Sequence, residues 1–409
     1  MFTFIDRMNR QTPLEALPGE QVEALLLRNR IPPASVIVLR DGEPIHESHV
    51  VEPARAYVAN LIEGYDISTI RGAYEALADD SASEGTAYIK KRLHLTRTGG
   101  IEVEAARLTL GETAQHVEDT IVDTCREFDL IRPGDGVLIA LSGGVDSSSL
   151  LLALSAAAKR LPDFRLVAVT FEDFDSETSP TFTHSNELAK RLGVEHHLAP
   201  AALAQEIFHL NVPLRQVLPF LMGTPAAHQT MYIDHHTTRR VLEVMAERLS
   251  LSRIALGLHT TDLVAGLLNG VMSGYNIASL PLRSVGSTTY IYPLAFVTKR
   301  ELHLYHLFKT GKLARHSNPN SWELKPTDRN FYYYLGDCLQ SSWPGLEILM
   351  FTAHQWRLRR QPPLSYVECR NCGSALLEQP FTSLTGGECD ACAILRAHGF
   401  IREEVNEPI

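Results

Sequence analysis

The stretch VLIALSGGVDSSSLLLALS, residues 137–155, constrains this chain more than any other. An apolar run of strand length meets two glycines, an aspartate and a cluster of serines, and then gives way to a second apolar run of helical length. A continuous apolar run closed by small residues reads as a strand buried on both faces, which is the habit of parallel sheets. Further strand candidates follow in RLVAVTF (165–171), RIALGL (253–258) and a short IYPL (291–294). Helical patterns separate them in SSSLLLALSAAAKRL, SNELAKRLG and RRVLEVMAERL. Strand and helix in alternation predict an α/β fold, a parallel sheet with helices on both faces.

Ligands of such sheets bind where strands end and helices begin. Gly143 and Gly144 permit positive φ and close approach of a phosphate, Ser142, Ser147 and Ser148 offer hydroxyls, and the first amides of the helix point at the anion. Asp146 has the wrong charge to hold phosphate but suits either Mg²⁺ or a helix cap. The string lacks the GK[ST] of a Walker loop and the GxGxxG of a dinucleotide loop. The plain alternative is a tight strand-to-helix turn capped by Ser and Asp.

At 409 residues, 44% hydrophobic and 21% charged, the chain is long enough for two or three domains. No apolar run approaches the roughly 18 residues that cross a bilayer, and the first thirty residues show no signal-peptide core, so a cytoplasmic protein without membrane contact is the expectation. A formal charge of −10 gives no bulk electrostatic sign of a nucleic-acid binder, although a local basic patch is compatible with it.

Four of the six cysteines form two pairs, Cys369/Cys372 and Cys389/Cys392, sixteen residues apart. Two CxxC knuckles suit one tetrahedral Zn²⁺, and four protein ligands make such a site structural. A redox pair is the alternative. Residues 365–396 are therefore expected to form a zinc ribbon. Near the other end, PGEQVEALLLRNR (18–30) reads as an amphipathic helix, and Pro32-Pro33 stop it before VIVLRDG runs as a strand into an Asp-Gly turn. Residues 1–70 are thus expected as a small α+β unit and 71–114, with DDSASEG and Gly99-Gly100, as a linker.

SGGVDS resembles the PP-loop of the N-type ATP pyrophosphatases, which cleave ATP between the α and β phosphates and adenylate a carbonyl oxygen. Across 115–350, the blocks HVEDTIVDTCREFDLIRPGDGVLIALSGGVDSSSLLLAL, TTRRVLEVMAERL, IALGLHTTD and YPLAFVTKRELHLY are similar to the branch of the tRNA 2-thiolation enzymes. The tRNA(Ile) lysidine synthetases resemble it more distantly. The resemblance implies a parallel-sheet adenine nucleotide α-hydrolase-like domain that binds ATP and Mg²⁺. It implies ATP contacts at Ala140, Ser142, Gly143, Gly144, Asp146, Ser147, Thr170 and Gly257, with Asp146 and Asp262 catalytic. The family's GHNxDD block here reads Gly257-Leu258-His259-Thr260-Thr261-Asp262, so Asp262 matches the second acid and Thr261 stands at the first.

The thiolation enzymes also carry three cysteines that hold an iron–sulfur cluster or carry sulfur. Aligned on Arg239-Arg240, those positions fall at about Tyr232, His235 and Asn318, and neither Cys125 nor Cys338 is equivalent. Asp234-His235-His236 offers another metal set, against which stands the reading of ordinary surface histidines. The N-terminal unit resembles β-grasp sulfur carriers, which end in a free Gly-Gly, whereas Gly99-Gly100 is internal; an unrelated docking module is the alternative. A terminal zinc ribbon resembles the zinc modules of the same branch. Three functions stay open at this point: tRNA thiolation through an adenylate, ligation or sulfur transfer on a small-molecule or protein carboxylate, and a non-catalytic nucleotide-binding partner in a sulfur relay. A sulfur donor or carrier protein and a homodimer are the partners this reading allows.

Overall fold

The computed structural model describes residues 1–6, 9–61, 85–95, 101–172, 180–224, 230–273, 281–313, 329–342, 350, 353–354, 357, 366–377 and 387–402. Two compact units divide the chain, Met1–Ala82 with Lys91–Ala105 and Ser83–Lys90 with Ala106–Ile409. No described helix is long and apolar enough to cross a membrane.

In the first unit, β1 (Phe2–Ile5), β2 (Gln11–Leu14), β3 (Val36–Arg40), β4 (Glu43–Ile45) and β5 (Tyr57–Leu61) make a mixed sheet in the order β2-β1-β5-β3-β4. β1 runs parallel to β5, and the other pairs are antiparallel. Alternate residues Phe2 and Phe4, Val36 and Val38, and Tyr57 and Ala59 are buried, with Val22, Leu25 and Leu26 of helix α1 (Val22–Arg28) in the same core. The β3–β4 hairpin turns on Asp41 and Gly42, both at positive φ, as a two-residue turn matching the strand twist requires. Of the expected linker, Tyr88–Leu95 (β6) and Ile101–Leu108 (β7) pair as a two-stranded sheet. Gly99-Gly100 lies outside the described residues.

Helix α2 (Leu110–Glu127) begins within the stretch expected as a linker. Thr109 and Glu112 form a capping box, each side chain bonding the other's backbone N–H. The second unit is then built on β8 (Gly136–Ala140), β9 (Arg165–Phe171), β10 (Glu195–Ala199), β11 (Arg253–Ala255), β12 (Leu282–Val285) and β13 (Thr288–Ile291). Their order is β10-β9-β8-β11-β13-β12, parallel except for β12 at one edge. This is the expected α/β fold.

Residues alternate along β8, so Val137 and Ile139 join one core and Leu138 the other. The first core takes α2, α3 (Val145–Ala157) and α9 (Lys299–Thr310), through Val117, Ile121, Leu150, Leu151, Leu302 and Tyr305. On the opposite face lie α5 (Ala201–Phe208), α7 (Thr230–Arg248) and α8 (Thr260–Ser273). Helices α4 (Pro180–Leu192), α6 (Leu214–Met222) and α10 (Arg329–Ser342) complete the main helical set among the described residues.

Two strand expectations shift. The strand near IYPL is Thr288–Ile291, and the chain turns after it, with the amides of Ala295 and Val297 bonding the carbonyls of Tyr292 and Leu294. A buried apolar run looks alike in strand and turn, so periodicity did not separate them. RIALGL keeps strand form only through Ala255. β10, EHHLA, is a polar edge strand without an apolar signal; its pairing with β9 makes it a strand.

At the C-terminal end, β14 (Tyr366–Glu368) and β15 (Ala375–Leu377) form a hairpin followed by α11 (Asp390–Ala397). The cysteines sit between the two strands and at the start of α11. They share one apolar core with Phe208, Leu214, Val217, Leu221 and Ile233.

Candidate active site and metal centre

The strand order reverses at β8, whose neighbours are β9 on one side and β11 on the other. At such a switch point the loops after the two central strands diverge and leave a crevice. SGGVDS follows β8 and GLHTTD follows β11, so the two signature blocks meet there.

Ser147 ties the first loop together. Its Oγ accepts from the Ser142 amide at 3.1 Å, lies 3.1 Å from Ser142 Oγ and donates to the Gly144 carbonyl at 3.3 Å. Gly143 adopts φ +77°, and Gly144 is the N-cap of α3 without a side-chain cap. The first amides of α3 carry the helix's partial positive charge. Gly257 forms the opposite wall. A Cβ there would stand 2.9 Å from the Ser147 nitrogen and 3.0 Å from the Asp146 carbonyl carbon, so only glycine lets the segment after β11 press on the loop.

Asp146, His259 and Asp262 bring one ligand atom each to within 4.8 Å of one another. His259 and Asp262 build the start of α8 between them: Asp262 Oδ2 accepts from the His259 amide at 3.1 Å, and the Asp262 amide faces His259 Nδ1 at 3.4 Å. This is a capping box with histidine and aspartate in place of the usual Ser/Thr and Glu. Asp262 Oδ1 accepts from the Tyr333 hydroxyl of α10 at 2.6 Å. Two carboxylates, Asp146 at the start of α3 and Asp262 at the start of α8, fit Mg²⁺, a hard cation usually held by one or two carboxylates plus phosphate and water. Thr261 is buried and packs beneath α10, where a Cβ on Gly336 would lie 3.8 Å from its Cγ2.

Thr170, at the end of β9, donates its hydroxyl to the Leu141 carbonyl at 2.7 Å and faces His196 Nε2 at 2.8 Å. Burial, then the neighbouring His197 and Lys190, hold His196 below its ordinary pKa and so keep it neutral. Thr170 thereby fixes the strand end from which the loop departs, and Ala140 is the last residue of β8.

The four cysteines converge. Their sulfurs lie within 4.8 Å of one another, all four residues are buried, and Cys372 and Cys389 Sγ are 3.9 Å apart. A tetrahedral ion with arms of about 2.3 Å to sulfur sets its ligands about 3.8 Å apart, so the cluster fits a metal of that kind. Hydrogen bonds from the neighbouring thiols, Cys369 first, hold Cys372 far below the ordinary thiol range, while the same coupling pushes Cys392 up. Four thiolates this close need a cation to be ionised together. The cluster is thus a metal-binding site.

Of the positions aligned with the cluster cysteines, Tyr232 and His235 are exposed on α7 and Asn318 lies outside the described residues. Cys125 is buried in the main core, and burial pushes its thiol up to about 12. His236 is not the surface histidine expected of it: it is 4% exposed and its Nε2 lies 3.4 Å from Cys389 Sγ. Sequence reasoning also passed over His259 and Tyr333. His259 sits inside the GLHTTD block and was there to be found, whereas Tyr333 is one of three adjacent tyrosines, 71 residues from Asp262, with no local signal.

A doubly wound sheet with this loop at its switch point defines a PP-loop α/β domain. Residues 135–245 match the family model described as asparagine synthase. The chain is similar to the tRNA-cytidine(32) 2-sulfurtransferase of Neisseria gonorrhoeae, 29% identical over 47% of this chain and 57% of that protein. It is also similar to the one from Burkholderia vietnamiensis, 28% identical over 56% of this chain and 64% of that protein. The chain thus spans less than two thirds of the length of these curated relatives. Among solved structures, a U34-tRNA thiolase from Methanococcus maripaludis with its [4Fe-4S] cluster shares the fold, with a TM-score of 0.53, 16% identity, and coverage of 78% of this chain and 95% of that one.

Proposed function

We propose that this chain is an ATP-dependent adenylating enzyme that prepares a tRNA base carbonyl for sulfur transfer. The observation that carries the ATP chemistry is the meeting of SGGVDS with Gly257, Asp146 and Asp262 at the switch point. The similarity to tRNA sulfurtransferases supports the choice of substrate.

In this reading the pyrophosphate end of ATP rests on the amides of Ser142 to Ser147, and the N-terminus of α3 stabilises the charge that develops there. Mg²⁺, held by Asp146 with Asp262 beside it, would supply the remaining positive charge. Tyr333 and the His259 amide hold Asp262 in place. The base carbonyl oxygen attacks the α-phosphorus, and the bond to the α–β bridging oxygen breaks, sending its electron pair out with pyrophosphate. A sulfur nucleophile then adds to the activated carbon, and AMP leaves with the former carbonyl oxygen. A ring carbonyl alone has no such leaving group.

Asp146→Ala is expected to weaken Mg-ATP binding at least tenfold, a loss of about 1.4 kcal/mol. Calorimetry decides it, and unchanged affinity would reject the loop assignment. The reaction itself is tested by ATP/pyrophosphate exchange, together with mass spectrometry of tRNA nucleosides from cells with and without the protein. Absent exchange would point to a non-catalytic nucleotide-binding partner. Exchange with unchanged tRNA thionucleosides would move the substrate to a carboxylate.

The sulfur reaches the adenylate directly, as a thiocarboxylate on a carrier protein or as free sulfide, because Tyr232 and His235 replace the family's thiols. Cys125 is a poor alternative, since a buried thiol of raised pKa holds little thiolate. A Cys125→Ser/Cys338→Ser chain is therefore expected to keep product formation within about threefold, a barrier change of roughly 0.7 kcal/mol. A loss beyond a hundredfold with pyrophosphate release intact would place the sulfur on one of these thiols. For the four-cysteine site we assign zinc, on ligand chemistry and on the enclosure of all four sulfurs.

A further inference from the structure

Among the described residues, one polar side chain from outside the ribbon reaches its sulfurs. His236, on α7, lies with Nε2 3.4 Å from Cys389 Sγ and 3.9 Å from Cys372 Sγ. Its ring is fixed from both sides, by Tyr232 stacked at 5.8 Å and by the edge of Phe208 at 6.1 Å. The remaining ring nitrogen, Nδ1, faces Arg239 Nη2 at 3.3 Å.

That last contact decides what the imidazole does. A guanidinium has only donors, so Nδ1 must accept, and a neutral imidazole that accepts at Nδ1 carries its proton on Nε2. An Nε2–H has no lone pair for a metal. It is a donor, and the groups in front of it are the Cys389 and Cys372 sulfurs.

We infer that His236 is the hydrogen-bond donor to the metal-bound thiolates of the ribbon, a positioning residue through which the PP-loop domain completes the four-cysteine site. The inference rests on the zinc assignment. Zn²⁺ with four thiolates carries a net charge of −2, and here that charge is buried. An N–H aimed at sulfur lowers its energy without entering the coordination sphere, as partners beyond the ligands do in other metal sites.

The same helix makes a second tie. Arg240 Nε donates to the Cys372 carbonyl at 2.8 Å, and its Nη1 meets Glu243 Oε2 at 3.1 Å. Glu243 also lies 3.5 Å from Arg239 Nε and accepts from the hydroxyl of Tyr290 on β13. Sheet, α7 and metal site are therefore linked by the hydrogen bond of Tyr290 to Glu243, the ion pair of Glu243 with Arg239, and the contacts of His236 with Arg239 and with the sulfur of Cys389. Metal loading is in this way joined to the helix that carries the exposed Tyr232 and His235.

The test uses the full zinc-loaded chain, His236→Phe, which keeps an apolar ring and removes the donor, and His236→Gln, which keeps an N–H. Zinc transfer to a chromophoric chelator is expected to be at least tenfold faster for His236→Phe, with partial recovery for His236→Gln. With Co²⁺ in the site, the thiolate charge-transfer bands of His236→Phe are expected at lower energy, while the spectrum stays that of four sulfurs. Unchanged release and unchanged bands would overturn the inference. A wild-type Co²⁺ spectrum of three sulfurs and one nitrogen would make His236 a ligand and overturn it too. Should His236→Phe not fold, nitrogen NMR of histidine-labelled wild-type protein still decides, since protonation at Nδ1 instead of Nε2 contradicts the donor role. A wild-type chain that takes up neither Zn²⁺ nor Co²⁺ removes the zinc assignment itself.

Discussion

Gly257→Val is expected to leave the chain folded and to lower Mg-ATP affinity by more than a hundredfold, about 2.7 kcal/mol. The Cβ would meet the Ser147 nitrogen at 2.9 Å, the Asp146 carbonyl carbon at 3.0 Å and the Asp146 oxygen at 3.1 Å. All three atoms are backbone of the first turn of α3, so no side chain can swing aside. Relief comes only by moving the phosphate loop or the segment after β11, and either spoils the aim of the amides. Gly144 is different, because its Cβ would meet only Ser142 Oγ at 3.5 Å, an ordinary contact. Gly144→Ala should therefore cost far less than Gly257→Val. Calorimetry with Mg-ATP on both variants, beside their circular dichroism, checks the ranking; equal losses would mean that Gly257 is not the wall of the site.

The second large effect is removal of the ribbon metal. Cys369→Ser/Cys389→Ser is expected to lose all bound zinc and to unfold the segment from Tyr366 to Arg402. Structural zinc contributes about 10–16 kcal/mol in small fingers, which matches or exceeds the whole stability of a typical domain. This segment has little else, since among its described residues the buried apolar side chains are the cysteines with Ala391, Leu395 and Ile401. Loss of its fold would uncover Phe208, Leu214, Val217 and Leu221 on α5 and α6. Hydrogen exchange reads this at the Ala393 and Phe400 amides, which bond the Cys389 and Leu395 carbonyls. Elemental analysis of the wild type is expected to find close to one zinc per chain and no iron. Iron near stoichiometry after anaerobic purification, or full zinc and protected amides in the double variant, would refute this account.

Both sites can be read along the chain from short local spacings. The SGGVDS junction was legible because its strand, turn and helix are consecutive, and each local preference points to the same shape. The ribbon was legible for a related reason, since a knuckle needs only two cysteines three positions apart. The starts of α2 and α9 were open to the same reading: Thr109 with Glu112, and Thr298 with Glu301, are capping boxes written in four residues.

Consecutive residues therefore determined the α/β class, the strand–turn–helix junction at SGGVDS and the four-cysteine cluster. Only the tertiary structure decided what stands around them. Tyr333 reaches Asp262 across 71 positions and His236 reaches Cys389 across 153, and neither approach has a spacing that a sequence can display. Both follow from the sheet order, which sets β11 beside β8 and carries α7, α8 and α10 to one side of it. That order is chosen by burial of two apolar faces at once, and apolar packing is non-directional: it fixes which surfaces are covered, while the polar partners that meet at the edges depend on the finished arrangement.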